Sequence, residues 1–465
     1  MEALLARTAL AAERVRRAGE VLVVAHIDAD GLTAGSIADL ALERAGVEHR
    51  VRFVKSLTPD ELEKVRDLNP ELTLFVDLGS GMADRLDGME VVICDHHHSG
   101  KDLPFHLNPR LFGLDGSTTA SGAGMTYLLA RALDPANKDL AALGIVGAVG
   151  DLQDLHARRL TGINREVLLA DARAARVVEP LLDTRLFGRE SRPLAKLLQY
   201  ADDPHLPGLS AREEACLRFL GDLGIPLMQG DRWRRWIDLS AAERRRLLSA
   251  LASHLLRAGR GAEQARRLVG EVYTLSRETP GQPVHDAKEF ATLLNSTARY
   301  GKAGVGLAVC RGDRGAAYQD ALGLLRDHRM NLVNGLQLVR ERGITTLGAL
   351  QYFDAGDQIR DTVVGIVAGM LYGLEGVRRD LPIVGFARTE DGQTKVSARA
   401  NRDLVRRGVN LSAALGQAAK VVEGIGGGHD VAAGATIPRG REPEFLAQLE
   451  LALQAQLATG AKAAA

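Results

Sequence analysis

The chain has few of the features that mark a secreted, membrane-spanning or globally charged protein. Its three cysteines, Cys94, Cys216 and Cys310, lie far apart and form no CxxC pair. Each sits in or beside an apolar stretch, which excludes a disulfide framework and predicts reduced core thiols in an intracellular protein. No apolar run is long enough to cross a bilayer. Residues Met1 to Glu20 alternate Ala and Leu with Glu and Arg, the pattern of an amphipathic helix rather than a signal peptide's apolar segment. A cytoplasmic location with no membrane partner is expected. Lys plus Arg and Asp plus Glu number 59 each, so net formal charge is zero and affinity for polyanions has to come from local patches. A Walker A loop is also missing. Gly301-Lys302-Ala303-Gly304-Val305-Gly306 lacks its glycine spacing and trailing Ser or Thr, which argues against nucleoside triphosphate binding there.

What the chain has instead is a repeated device. Val91-Val92-Ile93-Cys94 reads as a strand buried on both faces, and it ends abruptly in Asp95-His96-His97-His98. Val21–Ala25 runs into His26-Ile27-Asp28-Ala29-Asp30-Gly31, and Leu72–Val76 runs into Asp77-Leu78-Gly79-Ser80. The apolar run Leu143–Gly150, read as a fourth strand, ends in Asp151-Leu152-Gln153-Asp154. In an open parallel sheet, ligands bind outside the carboxyl ends of strands. If the four runs share a sheet or border one cleft, Asp28, Asp30, Asp77, His96 and Asp151 converge. Such a set is rich in carboxylate and imidazole and contains no thiolate, which suits Mn²⁺ or Mg²⁺ better than structural zinc. Clustered acids also require cations to offset their repulsion, and a two-metal centre clamps both oxygens of a phosphate ester under attack. Phosphoester hydrolysis is the chemistry that follows.

At 465 residues the chain is too long for one ordinary core. Strand-like and helical runs alternate from Val21 to about Thr184, with helices expected over 34–45, 59–68, 122–132 and 136–143, the signature of a parallel α/β domain over 1–185. Thr33 to Gly35 are read as the start of the first helix. The small-residue stretch Ser117–Gly124 opens another, either for close approach of a phosphate or backbone or as a capped, tightly packed helix. The strand pattern stops over 186–342, a mainly helical segment. Ser210-Ala211-Arg212-Glu213 and Ser240-Ala241-Ala242-Glu243 read as capping boxes. Between them, Arg232-Trp233-Arg234-Arg235-Trp236 reads as an Arg-rich turn with both Trp packed under helices, in preference to a base-stacking platform. Ala316 to Arg342 is a long amphipathic helix. From Gly343 to Ala465 a smaller α/β domain is expected. There Ser397, Arg399 and Arg402 end a strand, and Gly426-Gly427-Gly428 beside His429 suit a backbone nest for an anion.

The order His-x-Asp-x-Asp-Gly, Val-Asp-Leu-Gly, Asp-His-His and Gly-Asp-x-x-Asp resembles the DHH phosphoesterase superfamily. The resemblance implies metal ligands at Asp28, Asp30, Asp77, His96 and Asp151, with Asp77 as bridge and His26 as a further ligand position that varies among subfamilies. It implies that His97 faces the scissile phosphate, Asp95 orients its neighbours, and His98 is accessory. Ser-x-Arg followed by Gly-Gly-Gly-His and Ala-Ala-Gly resembles the DHH-associated domain of RecJ-type nucleases and oligoribonucleases. There Ser397, Arg399, Arg402, Gly426, Gly427, Gly428 and His429 would bind the nucleic-acid end, with the active cleft between the two α/β domains. The helical middle is similar to that of archaeal RecJ-like proteins that associate with the GINS replication complex. The implied activity is a two-ion, Mn²⁺-dependent exonuclease, with Mg²⁺ or Co²⁺ as substitutes. Its substrate is single-stranded nucleic acid, DNA before RNA and 5′→3′, in replication or repair. A small-substrate phosphodiesterase and a non-catalytic replication scaffold are the alternatives. The added helical middle argues against the former and the intact motifs against the latter.

Overall fold

A computed structural model describes residues 1–373 and 376–464, which form two units, Met1–Leu325 and Arg326–Ala465. The first unit opens with α1 (Glu2–Arg16), β1 (Glu20–His26), α2 (Ala29–Arg44), β2 (Glu48–Val54), α3 (Pro59–Asp67), β3 (Leu72–Val76), β4 (Val91–Cys94) and β5 (His106–Leu107). The five strands form an all-parallel sheet in the order β2-β1-β3-β4-β5. Every residue of β3 and the five central residues of β1 are buried, because helices cover both faces. On one face Leu4, Val15, Leu32 and Ile37 pack beside Met125 of α4 (Gly122–Leu133) and Ile145 of α5 (Ala141–Gly150). On the other, Leu62 and Val65 of α3 meet Leu22, Val24, Phe75 and Ile93. The chain leaves β1 toward β2 on one side and returns to β3 on the other. This reversal opens a crevice at the carboxyl ends of β1 and β3.

Three local readings change here. The run Leu143–Gly150 is helix α5 and not a strand. Continuous apolarity does not separate a buried strand from a buried helix, and Gly144 and Gly147 let α5 lie against Leu168 and Thr33 with no room for a Cβ. Helix α2 begins at Ala29, capped by Asp28, and so contains the acidic motif instead of following it. Strand β2, Glu48-His49-Arg50-Val51-Arg52-Phe53-Val54, was not expected, since its charged residues fit only a half-solvated edge strand.

After α6 (Ala170–Ala174) and β6 (Val178–Thr184), the chain runs through α7 (Leu194–Gln199), α8 (Glu213–Asp222), the hairpin β7 (Met228–Gln229) and β8 (Arg232–Trp233), α9 (Ala241–Arg257) and α10 (Gly261–Arg266). It returns on β9 (Val269–Leu275), antiparallel to β6. The helical insert has its own core of Leu197, Leu198, Cys216, Leu220, Trp236, Leu247 and Leu251. Ser240 and Glu243 form the expected capping box. Ser210 does not: α8 starts after Arg212, and the Ser210 hydroxyl donates instead to the carbonyl of Ala201 at 2.7 Å. Trp236 is fully buried with its indole N–H donated to Asp183, and Arg234 grips Glu243 through two bonds of 2.8 Å. Trp233, by contrast, is 52% exposed. Then α11 (Ala287–Arg299) and α12 (Ala303–Cys310) pack back on α2, and α13 (Ala316–Arg342) leads into the second unit. All three cysteines are free and buried, as expected. Among the described residues no helix is long and apolar enough to cross a membrane.

The second unit holds β10 (Thr345–Thr346), β11 (Gln351–Asp354), α14 (Asp361–Leu371), β12 (Ile383–Arg388), β13 (Thr394–Arg399), α15 (Arg402–Arg406), α16 (Leu411–Val421), β14 (Ile425–Gly428), β15 (Ala432–Ile437) and α17 (Glu442–Ala464). Its mixed sheet has the order β10-β11-β12-β13-β15-β14. Val364 and Val367 of α14 cover one face with Phe353, and Leu415 and Phe445 of α16 and α17 cover the other.

Candidate metal centre

The crevice at β1 and β3 gathers the acids and imidazoles. Asp28 caps α2 by accepting from the Gly31 amide at 2.9 Å. Asp30, in the first turn of α2, is buried, and its two oxygens accept from the Gly122 and Ala123 amides at 2.7 and 3.1 Å. The N-terminus of α4 thus holds a carboxylate of α2 in place. Asp77 follows β3 with φ +58°, a left-handed backbone uncommon for a residue with a Cβ. That turn aims a buried carboxylate back over the strand ends. Asp151 arrives at the C-terminal end of α5.

These side chains form two triads, His26–Asp28–Asp77 and Asp30–His96–Asp151, each with ligand atoms within 4.8 Å of one another. Asp77 belongs to the first through Oδ2, 3.2 Å from His26 Nδ1. Its Oδ1 faces the second, 3.4 Å from His96 Nε2. His96 Nε2 also lies 3.2 Å from Asp151 and 3.9 Å from Asp30. Its other nitrogen, Nδ1, donates to the Gly116 carbonyl at 2.6 Å, which leaves Nε2 facing the carboxylates and able to serve as a ligand. Asp77 Oδ1 and His96 Nε2 are both buried with no hydrogen-bond partner. Two orphaned buried atoms aimed at one point, among four carboxylates and two imidazoles, fit divalent cations with oxygen and nitrogen ligands.

The electrostatics agree. Burial raises the Asp30 carboxyl well above its usual range, and neighbouring Asp77 and Asp151 add to the shift. Burial likewise lifts Asp151 to about 7. Burial opposes the charged forms of His26 and His96, yet the surrounding carboxylates outweigh it and push them up to about 12 and about 11. The cluster holds more negative charge than its own side chains neutralise.

Asp95 plays the supporting part. Its Oδ2 accepts from the Ser80 amide at 2.9 Å, and Oδ1 accepts from the His96 amide at 2.7 Å. His97 Nδ1 lies 2.7 Å from the same Oδ1, and half of the His97 side chain, 52%, stays exposed toward solvent. His98 is exposed outside this network. Asp154, the second acid of Gly-Asp-x-x-Asp, lies apart, in a buried ion pair with Arg185 at 2.8 Å.

Several residues at the site carried no signal in the sequence. Asn295 on α11 accepts from the Ala29 amide at 3.0 Å, and the half-buried Arg299 feels the charge of Asp28. Asn108 donates to the Ser80 hydroxyl and to the His97 carbonyl, both at 2.8 Å. Arg110 Nε donates to the His96 carbonyl at 2.8 Å. Asn295 lies 266 residues from the Ala29 amide it accepts from, whereas Asn108 and Arg110 follow the Asp-His-His motif within the next loop.

In the second unit, the register sets Gly385, Ser397, Gly434 and Gly427 side by side across four strands. Ser397 and Arg399 lie two residues apart on β13 and share one sheet face, where Gly365 of α14 approaches both with no room for a Cβ. Arg402 is the exposed first residue of α15. The exposed His429 donates its amide to the Ala432 carbonyl at 2.9 Å. The glycine tract is not a nest. It is edge strand β14, paired with β15 on one side only. Leu415 and Ala419 of α16 leave no space for a Cβ on Gly426, whereas nothing lies within 4 Å of one on Gly427.

Residues 20–148 match the DHH family, N-terminal domain, residues 186–269 the DHH-CID domain and residues 347–455 the DHHA1 domain. An uncharacterized protein of Methanocaldococcus jannaschii, MJ0831, is 30% identical over 450 residues, 94% of each chain. The single-stranded-DNA-specific exonuclease RecJ of Bacillus subtilis is 28% identical over 167 residues, 31% of this chain and 21% of that protein. A crystal structure of exonuclease RecJ bound to manganese has the same fold, with TM-score 0.56 and 20% identity over 97% of this chain and 94% of that one. So does Cdc45 from Entamoeba histolytica, with TM-score 0.67 and 12% identity over 95% and 97%. With its motifs, its domains and its full-length relative in agreement, the chain belongs to the DHH superfamily of metal-dependent phosphoesterases, as a RecJ-like member.

Proposed function

We propose that the protein is a Mn²⁺-dependent exonuclease that hydrolyses single-stranded nucleic acid, DNA in preference to RNA and 5′→3′, in cytoplasmic DNA replication or repair with a GINS-type complex as partner. The observation that carries the hydrolytic reading is Asp77, whose two oxygens face two separate ligand triads while Oδ1 and the opposing His96 Nε2 stay buried and unsatisfied. His26, Asp28 and Asp77 would hold one cation, and Asp30, His96, Asp151 and Asp77 would hold the other. Bound there, the pair supplies the charge that acidifies water and neutralises the phosphate under attack.

The chain's own groups do the rest. His97, oriented by Asp95 and exposed on its outer side, donates to a phosphate oxygen. Arg299 adds fixed positive charge beside Asp28. Ser397, Arg399, Arg402, the Gly426–Gly428 strand and His429 hold the neighbouring phosphates or the strand end. The open space over Gly427 suits close approach of a nucleotide backbone.

The test is digestion of end-labelled single-stranded DNA and RNA with Mn²⁺, 5′ and 3′ labels in separate reactions, beside a dinucleotide control. Mononucleotides released stepwise from the 5′ end are the expected result. Cleavage of the dinucleotide alone would instead mean a small-substrate phosphodiesterase. The Cdc45 likeness favours a replication scaffold as the second reading, and no cleavage of any substrate would support it.

A further inference from the structure

We propose that Gln153 is a positioning residue for the metal ligand His96, sharing with it the carbonyl of Gly116 and so aiming His96 Nε2 at Asp30, Asp77 and Asp151. The inference rests on the metal-centre reading and deepens it. Gln153 stands two residues after Asp151 on the turn that leaves α5, and it is 2% exposed. Its amide NH₂ donates to the Gly116 carbonyl at 3.2 Å and to the Ala120 carbonyl at 3.0 Å. Its Oε1 accepts from Asn164 Nδ2 at 2.6 Å. The nitrogen side therefore faces two acceptors and the oxygen side a donor, which leaves one orientation for the amide.

A carbonyl oxygen has two lone pairs. On Gly116, Gln153 takes one and His96 Nδ1 takes the other at 2.6 Å. The segment from Gly116 to Ala120 is thus fastened at both ends to Gln153, and at its near end to His96. Residue 116 has to be glycine for this approach, because a Cβ there would run into the His96 carbonyl and press Arg110 Nε at 3.0 Å. One amide consequently couples the turn carrying Asp151 to the loop carrying His96, two ligands of the same triad. Its loss takes the Gln153 donor from the buried Ala120 carbonyl, leaves the Gly116 carbonyl with His96 Nδ1 alone, and frees the acceptor that sets the His96 ring. Losing such a supporting partner weakens metal binding by about 10–100-fold.

The experiment compares Gln153→Met, of similar volume and without donors, with the unaltered full chain. Mn²⁺ affinity is read by titration calorimetry and by the electron paramagnetic resonance of free Mn²⁺, and the thermal midpoint is read without metal. Asn137→Leu is the control. Asn137 is equally buried, donates to the Ala130 carbonyl at 2.8 Å and accepts from Arg44 at 2.9 Å, near the opposite end of α4 from Gly122. Gln153→Met should weaken Mn²⁺ binding about 10–100-fold, while Asn137→Leu lowers the midpoint and leaves affinity unchanged. Gln153→Glu keeps the shape and the Asn164 bond but turns an acceptor on the two carbonyls, so it should show the same loss and covers a Met variant that does not fold. Unchanged affinity in the Gln153 variants, or an equal loss in Asn137→Leu, would overturn the inference. Failure of the unaltered protein to bind Mn²⁺ would overturn the metal-centre reading beneath it.

Discussion

Gly122 offers the sharpest test of how the centre is built. It is the first residue of α4, its amide holds Asp30, and it packs on Asp77 so closely that no side chain fits. A Cβ built there would sit 2.5 Å from Asp77 Cβ and 2.7 Å from Asp77 Cα, and closer still to Oδ1. Gly122→Ala therefore requires Asp77 or the start of α4 to move by roughly 1 Å to restore ordinary carbon–carbon contact of about 3.5 Å. Overpacking of this kind costs about 1–3 kcal/mol, and the gain of Ala over Gly in a helix returns at most about 1 kcal/mol. The metal-free protein should then lose between about 0 and 3 kcal/mol. A separate metal effect should appear, because the displaced carboxylate is the one that faces both triads, and disturbing the setting of a ligand costs about 10–100-fold in metal affinity. At saturating Mn²⁺ a 100-fold weaker site forfeits about 2.7 kcal/mol of ligand-derived stability. Thermal unfolding with and without Mn²⁺, beside a calorimetric titration, separates the two effects. Mn²⁺ affinity within about threefold of the parent would mean that Asp77 tolerates the shift, and the shared-bridge argument would fail.

Other perturbations probe the remaining claims. Asn is at home in the left-handed conformation of residue 77, so Asp77→Asn changes charge with little backbone strain. It should cut Mn²⁺-dependent cleavage of single-stranded DNA at least ~100-fold, and retained turnover would remove Asp77 from the centre. Arg399→Ala should raise KM by about 10–100-fold, the worth of one charged hydrogen bond, with kcat changed less than about threefold. A single-turnover rate as low as that of Asp77→Asn would contradict a holding role. Glu289 is buried against Asp286, and burial lifts its carboxyl to about 7 from 4.5. The folded state thus binds the Glu289 proton more tightly than the unfolded state. This contribution is fully present below 4.5 and is lost as pH rises through about 7, a swing of about 1–3 kcal/mol. Glu289→Gln keeps an acceptor for the Glu190 amide and should raise the unfolding midpoint at pH 8 but not at pH 4. Equal effects at the two pH values would refute it.

The chemistry of the centre was legible in the sequence because it is local. Each acid or imidazole follows an apolar run, and burial forces such a run to end where polar groups find water or cations. The helix Ala316–Arg342 was legible for the same reason, periodicity over many turns. Contacts between distant segments were not. Asn295 meets Ala29 across 266 residues, and no spacing rule reaches that far. Asp77's left-handed backbone and the helical state of Leu143–Gly150 likewise follow from tertiary packing.

The small-residue stretch before Gly124 shows where local reading misleads most instructively. A helix opening in Ser121-Gly122-Ala123-Gly124 invites an anion, and an anion is there, but it is the protein's own Asp30. The N-terminus of α2 is likewise engaged by Asp28. Both helix ends that point into the crevice are spent on carboxylates of the proposed metal centre. They steady carboxylates that would otherwise repel one another, by up to about 2 kcal/mol each in a partly buried setting. In the proposed reaction the dipoles would therefore organise the carboxylates and leave phosphate recognition to the cations, to His97 and to Arg299.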